Sequence, residues 1–220
     1  MILNGHIPYD RALTQQEELY DEIITAKHSG TPNAHFLLFD EHEPVITLGK
    51  HAHRDNLLIP TERLSQMGIS LYETTRGGDI TYHGPGQWTV YPIFDLEELG
   101  IGVREYVNRL EEVAIRTLRD YDIQGARIPG AAGVWVHPDS TFPEKVCAIG
   151  IKCSHFVTMH GIAFNVNTNL THFSLINPCG FSDRGATSLS RLLGHDIPMD
   201  EVRNRLTHHF ATLFERPIYT

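Results

Sequence analysis

Three cysteines, and the lysines that neighbour them, are the residues of this chain that could carry covalent chemistry. Cys147 lies inside the apolar run 146–149, where a thiol usually packs as a small buried hydrophobe, and Cys153 follows near the end of the same segment. Cys179 stands between a proline and a glycine, which predict a turn instead of a strand. We therefore expect Cys179 to present its sulfur on a loop, where a substrate can reach it.

A nucleophilic cysteine needs a cation or a base beside it, because a thiol with a pKa of about 8.5 is only slightly ionised at neutral pH. Lys145 and Lys152 are the candidates. They are seven positions apart on one predicted strand, and this odd separation places them on opposite faces unless a bulge intervenes. Only one of the two is therefore expected to face a site.

A second candidate site is the glycine-rich segment 76–87, which reads RGGDITYHGPGQ. Four glycines and one proline in twelve positions predict a shaped loop, not the interior of a helix or a strand. Strand-like residues flank it on both sides, so the loop is expected at strand ends, where binding sites are commonly built. Arg76 and His83 supply polar side chains. Glycine-rich connections also occur simply as turns, so composition alone leaves a binding role open.

Segments with helical periodicity must position these residues. The clearest is 102–120, whose apolar residues recur at three- and four-residue steps and whose charged residues, Glu111 among them, are expected to face solvent. Tyr9 to Lys27 suits an amphipathic helix, although Thr14 and Glu17 could form a capping box that starts it later. Further helices are predicted at 60–67 and at 199–215, the last with Asp200 as its cap.

Strands are predicted at 36–39 and 45–48, joined by a turn, and at three later segments. The later segments, 133–136, 145–151 and 161–166, have the composition of one antiparallel meander. Strands interspersed with helices predict an α/β or α+β fold, in which helices pack on a mixed, largely antiparallel sheet.

The composition excludes several classes of function. The 220 residues are 41% hydrophobic and 20% charged, without a long linker, so a single domain over 1–220 is expected. A net charge of −9 with no basic run argues against nonspecific nucleic-acid binding and against a polybasic membrane patch. The chain has no 18-residue apolar stretch and no signal-peptide pattern at its start, which predicts a cytoplasmic protein. An odd number of cysteines indicates reduced thiols.

The order and spacing of four segments resemble those of the lipoyl(octanoyl) transferases; the segments are RGGDITYHGPGQ, EKVCAIGIK, TMHGIAFNVN and INPCG. The resemblance extends from Tyr9 to about Leu193. It implies the biotin/lipoate protein ligase catalytic fold and an enzyme that moves an octanoyl group from octanoyl-acyl carrier protein to a lysine. The acceptors would be the lipoyl domains of 2-oxoacid dehydrogenase complexes and the glycine cleavage H protein. Neither a cofactor nor a metal is implied.

The resemblance also implies roles for residues. In these transferases the cysteine of the NPCG segment accepts the acyl group, and this position is Cys179. The family's catalytic lysine opens the segment matched by KVCAIG, 34 positions before the nucleophile, and this position is Lys145. No role is attached to Asp79, which stands where relatives vary. The acyl-binding positions of the family map onto Arg76, Gly77, Gly78, Asp79, Ile80, Thr81, Tyr82, His83, Ala148, Ile149, Gly150, Gly161, Ile162 and Ala163.

Other groups could complete such a site. Backbone N–H groups near Gly77 and Gly78, or around Gly180, are candidate donors to the oxyanion of acyl transfer. Small residues in the two later segments would leave room for an unbranched chain. His83 and His160 are either site residues or core histidines with satisfied nitrogens. An acidic carrier protein would need a local basic surface on this acidic chain, and the candidates are Lys50, Arg54 and Arg63.

Two other functions remain open from the sequence. An ATP-using lipoate or biotin ligase would share the fold and the glycine-rich loop, but it needs no cysteine nucleophile. A noncatalytic lipoyl-domain or metal-binding module could use the histidines, of which His51 and His53 form a His-x-His pair without an adjacent carboxylate or thiol. The cysteine in its expected segment favours the transferase over both.

Overall fold

The computed structural model describes residues 1–32, 34–177 and 184–219. The predicted nucleophile Cys179 and the neighbouring Gly180 lie outside the described residues. The helices are α1 (Tyr9–Ser29), α2 (Thr61–Gln66), α3 (Val103–Arg119), α4 (Leu189–Leu193) and α5 (Met199–Phe214). The strands are β1 (Ile2–Ile7), β2 (Phe36–His42), β3 (Val45–Leu48), β4 (Ser70–Glu73), β5 (Ile80–His83), β6 (Gln87–Ile93), β7 (Ala126–Ile128), β8 (Ala131–Val136), β9 (Glu144–Ser154), β10 (Val157–Asn165) and β11 (Gly185–Ala186).

Most strands form one large mixed sheet. Its order is β1-β2-β6-β10-β9-β8-β7, and β11 pairs with the start of β9. The pairs β1/β2 and β11/β9 are parallel, and the other pairs are antiparallel. A second sheet of three strands has the order β4-β3-β5. The predicted fold, helices on a mixed and largely antiparallel sheet, is confirmed, and β8, β9 and β10 form the predicted meander.

Helices cover the two faces of the large sheet. On one face α3 and α5 pack against side chains such as Val90, Ile162 and Phe164. On the other face α1 packs against Tyr91 and Met159. The small sheet has a separate core, which it shares with α2 and the 3-10 segment Leu170–Leu175. These layers leave part of the α1 face of the large sheet open to the small sheet.

Helix α3 follows its predicted apolar face, with one exception. Tyr106, Leu110 and Leu118 are fully buried on the sheet, as the three- and four-residue spacing predicts. Glu111, however, is buried as well. Its Oε1 accepts a hydrogen bond from the Gly133 N–H (3.2 Å) and its Oε2 accepts one from Arg127 (2.9 Å). The periodicity locates the apolar stripe, but it cannot show that a neighbouring strand offers donors to a carboxylate at the edge of the stripe.

Two helix starts differ from the sequence predictions. α1 begins at Tyr9, directly after Pro8, so the alternative start at a Thr14–Glu17 capping box is wrong. α5 begins at Met199 after Pro198, and no side chain caps it. Asp200 therefore lies in the first turn, where a carboxylate still interacts favourably with the helix dipole.

The strand predictions need one addition and one correction. β2 and β3 exist where they were predicted, and the structure adds that β2 pairs with β6 in the large sheet while β3 pairs with β4 and β5 in the small one. The segment 76–87 is not wholly a loop, because β5 (Ile80–His83) runs antiparallel to β3 within it. The glycines lie at either end of this strand, and the residues between them have strand propensity. Among the described residues, no helix has the length and apolar character that crossing a bilayer requires.

Candidate functional site

A cavity of about 730 Å³ lies between the large sheet and the small sheet. Strands β6, β9 and β10 supply its floor, and the segment 76–83 and residues around 170–177 lie across from them. The floor consists of rows of residues that pair across neighbouring strands. Ala163 pairs with Ala148 on one side and with Thr89 on the other, and Gly161 pairs with Gly150. These rows give the cavity a narrow floor of small residues.

Close approach of neighbouring backbone accounts for the two floor glycines, and it is much closer at Gly161 than at Gly150. A Cβ on Gly161 would lie 2.1 Å from the Val90 carbonyl oxygen, and a Cβ on Gly150 would lie 3.0 Å from the Gly77 carbonyl oxygen. The sequence prediction that small residues here leave room for a ligand therefore needs correction at these two positions. Gly150 and Gly161 let neighbouring segments approach, whereas Ala148 and Ala163 are the small side chains on the floor.

A β-bulge determines which lysine faces the cavity. Val134 pairs with Cys147 and Trp135 pairs with Lys145, so Val146 is an extra residue on β9. Val146 and Cys147 are both fully buried in the core beneath α3. The bulge therefore changes the alternation, and Lys145 faces the same side of the sheet as Lys152.

The two lysines nevertheless occupy different surroundings. Lys145 Nζ donates to the Ala132 carbonyl oxygen (2.9 Å) and lies 4.6 Å from the centroid of the Trp135 ring, at one end of the cavity. Lys152 Nζ lies 5.3 Å from the centroid of the Tyr20 ring on α1 and contacts Met159. Of these two lysines, Lys145 lines the cavity and Lys152 does not, so one of the pair faces the site, as predicted.

Arg76 joins the small sheet to the cavity. Its guanidinium donates to Thr47 Oγ1 through Nε (3.2 Å) and Nη2 (2.9 Å), and Nη2 also donates to the Thr47 carbonyl oxygen (2.7 Å). The side chain is 7% exposed. The next residue ties the same segment to the large sheet, because the Gly77 N–H donates to the Ile151 carbonyl oxygen (2.7 Å). The Gly77 N–H is therefore unavailable as an oxyanion donor, so the sequence prediction is wrong for this group, while the Gly78 and Gly180 N–H groups stay predictions.

Asp79 has a structural role that the sequence did not indicate. Its Oδ1 accepts from the His53 N–H (3.2 Å) and its Oδ2 accepts from Asn56 Nδ2 (2.5 Å). The carboxylate thus fixes the neighbouring loop 49–56. His51 and His53 of this loop are exposed. Among the described residues no three potential metal ligands cluster, and this includes the His-x-His pair.

A chain of hydrogen bonds runs beneath the cavity from Arg76 toward Lys145. Gln87 donates through Nε2 to Asn165 Oδ1 (2.8 Å), so its Oε1 must be the acceptor for His83 Nδ1 (2.8 Å). His83 is therefore protonated on Nδ1, and its Nε2 lies 3.4 Å from Thr47 Oγ1. Asn165 donates in turn to the carbonyl oxygen of Thr187, whose own N–H donates to the Lys145 carbonyl oxygen (2.9 Å).

Three buried histidines, of which His83 and His160 line the cavity, are neutral. Burial lowers the pKa of His83 to about 3, helped by competition with the His42 ring for a proton and by the charge of Arg76. Burial lowers the pKa of His42 to about 4, and His42 Nε2 accepts a hydrogen bond from the Tyr91 hydroxyl (2.7 Å). Burial, with the charges of Arg76 and Lys152, lowers the pKa of His160 to about 3. At neutral pH these rings supply hydrogen-bonding groups without net charge.

The cavity has a closed end and an open end. Tyr9, Tyr91 and His160 are each less than 5% exposed and close it beside Arg76. At the other end, Ala132 is exposed and the Arg191 side chain is 62% exposed. Lys145 lies at the open end, and Arg184 shares it, with its guanidinium carbon 5.5 Å from the centroid of the Trp135 ring.

Most residues predicted for the site lie together around this cavity. Lys145 and all the predicted acyl-binding residues except Gly77 and Tyr82 line it. Tyr82 packs in the small-sheet core, where its hydroxyl and His172 Nδ1 form a hydrogen bond (2.8 Å). Of the candidate basic residues, Lys50 and Arg54 lie on the loop 49–56, where Arg54 pairs with Glu73, and Arg63 lies on α2, where it donates to Gln66 Oε1 (3.0 Å). Neither of the two thiols among the described residues is exposed: Cys147 is fully buried and Cys153 is half-buried, both in β9.

Sequence reasoning missed several lining residues. Gln87, Thr89 and Tyr91 alternate along β6 with residues of the α3 face, so the period of two could have placed them on one side of the sheet. Tyr9 at the start of α1 and Trp135 on β8 come from distant segments. Only the tertiary fold brings these two side chains to the cavity.

Comparisons with known proteins identify relatives of this chain. Residues 9–211 match the family described as lipoyl protein ligase A/B catalytic domain. An octanoyltransferase of Bacteroides fragilis is 49% identical over 200 residues, which cover 91% of this chain and 90% of that protein. An octanoyltransferase of Parabacteroides distasonis is 48% identical over 211 residues, covering 96% of both chains.

The fold also has relatives among solved structures. A bipartite lipoate protein ligase from Thermoplasma acidophilum, studied with its E2 lipoyl domain, superposes with a TM-score of 0.70 at 17% identity. The match covers 99% of this chain and 84% of the ligase chain. At this identity the likeness shows the fold alone, and it confirms the predicted biotin/lipoate protein ligase catalytic fold. The chain belongs to the lipoyl protein ligase A/B catalytic domain family, and it is an acyltransferase that transfers octanoyl groups in protein lipoylation.

Proposed function

We propose that this enzyme transfers an octanoyl group from octanoyl-acyl carrier protein, through a thioester on Cys179, to lysines of lipoyl domains. The acceptors in this proposal are the lipoyl domains of 2-oxoacid dehydrogenase complexes and the glycine cleavage H protein. One observation carries the proposal: a cavity with a floor of small residues is closed at one end and opens beside Lys145 at the other. The lipoyl domain of the Thermoplasma acidophilum system supports such a domain as the acceptor. A cytoplasmic location remains a prediction from the sequence.

The shape of the cavity supports one direction of binding for the acyl chain. Both the donor and the acceptor are attached to proteins, so the carbonyl carbon must lie at the open end where they can reach it. The alkyl chain then extends over Ala148 and Ala163 toward the closed end. Along β9, Gly150 lies four strand positions beyond Lys145 once the bulge is allowed for. At the usual rise per strand residue, this separation is roughly 13 Å. An extended eight-carbon chain spans about 9 Å at the reach per bond of an extended backbone.

The proposed reaction has two balanced steps. The Cys179 thiolate attacks the donor thioester, so that a new C–S bond forms while the C–S bond to the carrier breaks, and the departing carrier thiolate takes up the proton that Cys179 lost. The lysine amine of the lipoyl domain then attacks the acyl-enzyme, so that a C–N bond forms while the C–S bond to Cys179 breaks, and the amine proton returns to the sulfur. The first step is roughly isoenergetic and the second is downhill, so neither requires ATP. Lys145 supports both steps, as an ammonium that favours the thiolate or as an amine that accepts the proton.

The other thiols are poorly suited to this role. Burial raises the pKa of the Cys147 thiol well above its usual range, and the residue has no exposed surface. Burial also raises the pKa of the Cys153 thiol, which packs toward the core beneath α3. Both are therefore expected to be protonated and unreactive at neutral pH.

The proposal predicts a covalent adduct that intact-mass measurement can detect. After mixing with octanoyl-acyl carrier protein without ATP, the wild type should gain one octanoyl group. Cys179→Ser should gain none, and Lys145→Ala should gain it at least tenfold more slowly. Cys153→Ser is the matched control and should load like the wild type. An adduct mapped by peptide analysis to Cys147 or Cys153 would reject the assignment of the nucleophile.

A ligase activity is the second candidate, because the solved structures of the same fold include lipoate protein ligases. It predicts that modification of a lipoyl domain depends on free octanoate and ATP. The close relatives named octanoyltransferase favour the transferase. Transfer from carrier protein that stopped completely without ATP would favour the ligase instead.

A further inference from the structure

His160 is a buried polar residue that the proposed chemistry does not use. Its side chain is 2% exposed, and neither ring nitrogen has a hydrogen-bond partner among the described residues. An unpaired buried donor or acceptor costs free energy, so such groups in a native protein call for an explanation. The ring lines the cavity at its closed end.

The backbone at His160 is shaped to present the ring there. Strand alternation would place residue 160 with Thr158 and Ile162, whose side chains face the α3 layer. His160 instead has a φ of +59°, which changes the direction of its side chain. The charges that act on the ring, those of Arg76 and Lys152, belong to the cavity side of the sheet. Gln16 on α1 holds this conformation, because its Oε1 accepts a hydrogen bond from the His160 N–H (3.0 Å).

The distance between His160 and Lys145 suits the length of an eight-carbon chain. It neighbours Gly161, which pairs with Gly150 across the floor. The space between Lys145 and this row, roughly 13 Å by strand rise, accommodates an eight-carbon chain together with the reach of the lysine. Additional methylenes would have to occupy the position of the imidazole ring or pack against its nitrogens.

We propose that His160 ends the acyl channel and sets the length of the chain that the enzyme transfers. This inference rests on the proposed function, and it concerns specificity, not chemistry. A chain of eight carbons or fewer leaves the ring nitrogens free to bind water or a polar group. A longer chain would either clash with the ring or cover its nitrogens with apolar surface, and both effects disfavour it.

The experiment compares acyl-carrier-protein donors of six, eight, ten and twelve carbons. The rate of adduct formation is measured by intact mass for the wild type, His160→Gly and His160→Asn. Glycine and asparagine both tolerate positive φ, so the backbone and its bond to Gln16 can remain. His155→Gly is the matched control, because His155 also has positive φ (+52°) and lies exposed in the turn between β9 and β10.

We expect the wild type and His155→Gly to load eight carbons fastest. In His160→Gly the twelve-to-eight-carbon rate ratio should rise at least tenfold, which is the scale on which a pocket discriminates methylenes. His160→Asn, with a shorter polar side chain, should shift the preference toward ten carbons. An unchanged ratio in His160→Gly, or an equal loss for all four donors, would show that His160 is only structural and would overturn the inference. If the wild type formed no adduct with any donor, the proposed function itself would fail.

Discussion

Burial determines the protonation states of several individual side chains in and around this site. Burial keeps His42, His83 and His160 neutral, while Thr47 pairs with the permanently charged Arg76. Asp40, which pairs with Thr89 across the sheet, differs from the histidines because burial raises its pKa instead of lowering it. It is fully buried, Oδ1 accepts from Asn4 (2.7 Å), and Oδ2 has no partner among the described residues. Burial raises its pKa to about 7.

The raised pKa of Asp40 predicts a pH-dependent penalty on stability. Between about pH 4 and pH 7 the folded state retains a proton that the unfolded state has lost, so stability falls as the pH rises through this window. Asp40→Asn removes the titration. The variant should therefore gain stability relative to the wild type as the pH rises, by about 2 kcal/mol between pH 5 and pH 8. Urea unfolding at the two pH values measures the difference.

The histidines oppose this trend, because their lowered pKa values cost stability as the pH falls below about 6.5. Both proteins share that effect, so the difference between them isolates Asp40. Asp139→Asn in an exposed loop is the control and should give the same difference at both pH values. A gain for Asp40→Asn that did not change with pH would show that this carboxyl group does not titrate in the window.

At the scale of elements, the central strands provide the geometry of the floor. β9 and β10 pair over eight positions, and every residue on the cavity side depends on this register. Gly161 allows β10 to approach β6, since a Cβ would lie 2.1 Å from the Val90 carbonyl oxygen and 2.7 Å from Pro92 Cδ. A side chain here would have to move strand backbone, which a well-packed sheet resists.

Gly161→Ala should therefore destabilise the protein by about 3 kcal/mol, because the added methyl group meets backbone. Gly102→Ala is the control, since a Cβ there meets nothing within 4 Å. Its cost at the start of α3 should be at most about 1 kcal/mol. Denaturant unfolding of both variants measures the effect. Equal losses would indicate that the sheet can adjust at Gly161.

The sequence predicts these elements better than it predicts their partners. Helical periodicity and strand composition located α3, β9 and β10, because those signals are local. The separation of β2 and β3 into different sheets depends on contacts far apart in the chain. The sequence could only allow for a bulge between Lys145 and Lys152 and could not locate it at Val146. In a run of consecutive hydrophobic residues the sequence does not reveal which face of the sheet each side chain takes.

The site shows the same division. Motif resemblance brought Lys145 and most of the lining residues together correctly in space, although their roles remain proposals. It did not distinguish residues that face the cavity from those that hold its walls, such as Gly77 and Tyr82. That distinction depends on hydrogen bonds, among them Gly77 to Ile151, which have no local sequence signal.

For the whole molecule, the distribution of charge matters more than its sum. The net charge is −9, yet among the described residues four basic side chains and one acidic side chain line the cavity. The basic ones are Arg76, Lys145, Arg184 and Arg191, and the last three lie toward the open end. A basic opening in an acidic protein attracts an acidic partner locally, and this matches the proposed carrier protein better than the loop 49–56 does.

This asymmetry predicts that salt slows the reaction with protein-bound donor. Raising ionic strength from about 0.05 M to 0.5 M should lower kcat/KM for octanoyl-acyl carrier protein by about tenfold, because screening weakens the attraction between exposed charges. The exposed Arg191 should carry part of this effect, since among the residues that the structure describes its charge is offset by one long ion pair, with Glu144 at 3.7 Å. Arg191→Gln should therefore be slower than the wild type at low salt and less sensitive to added salt.

Two controls separate this attraction from an effect of salt on the chemistry. Arg104→Gln removes an exposed charge on α3, across the sheet from the cavity, and should keep the salt dependence of the wild type. Octanoyl-pantetheine is an uncharged donor, so its transfer should change little with salt in all three proteins. If Arg104→Gln flattened the dependence as much as Arg191→Gln does, net charge alone would attract the carrier protein. If transfer from octanoyl-pantetheine fell with salt as steeply as transfer from carrier protein, the ions would act on the reacting groups and not on docking.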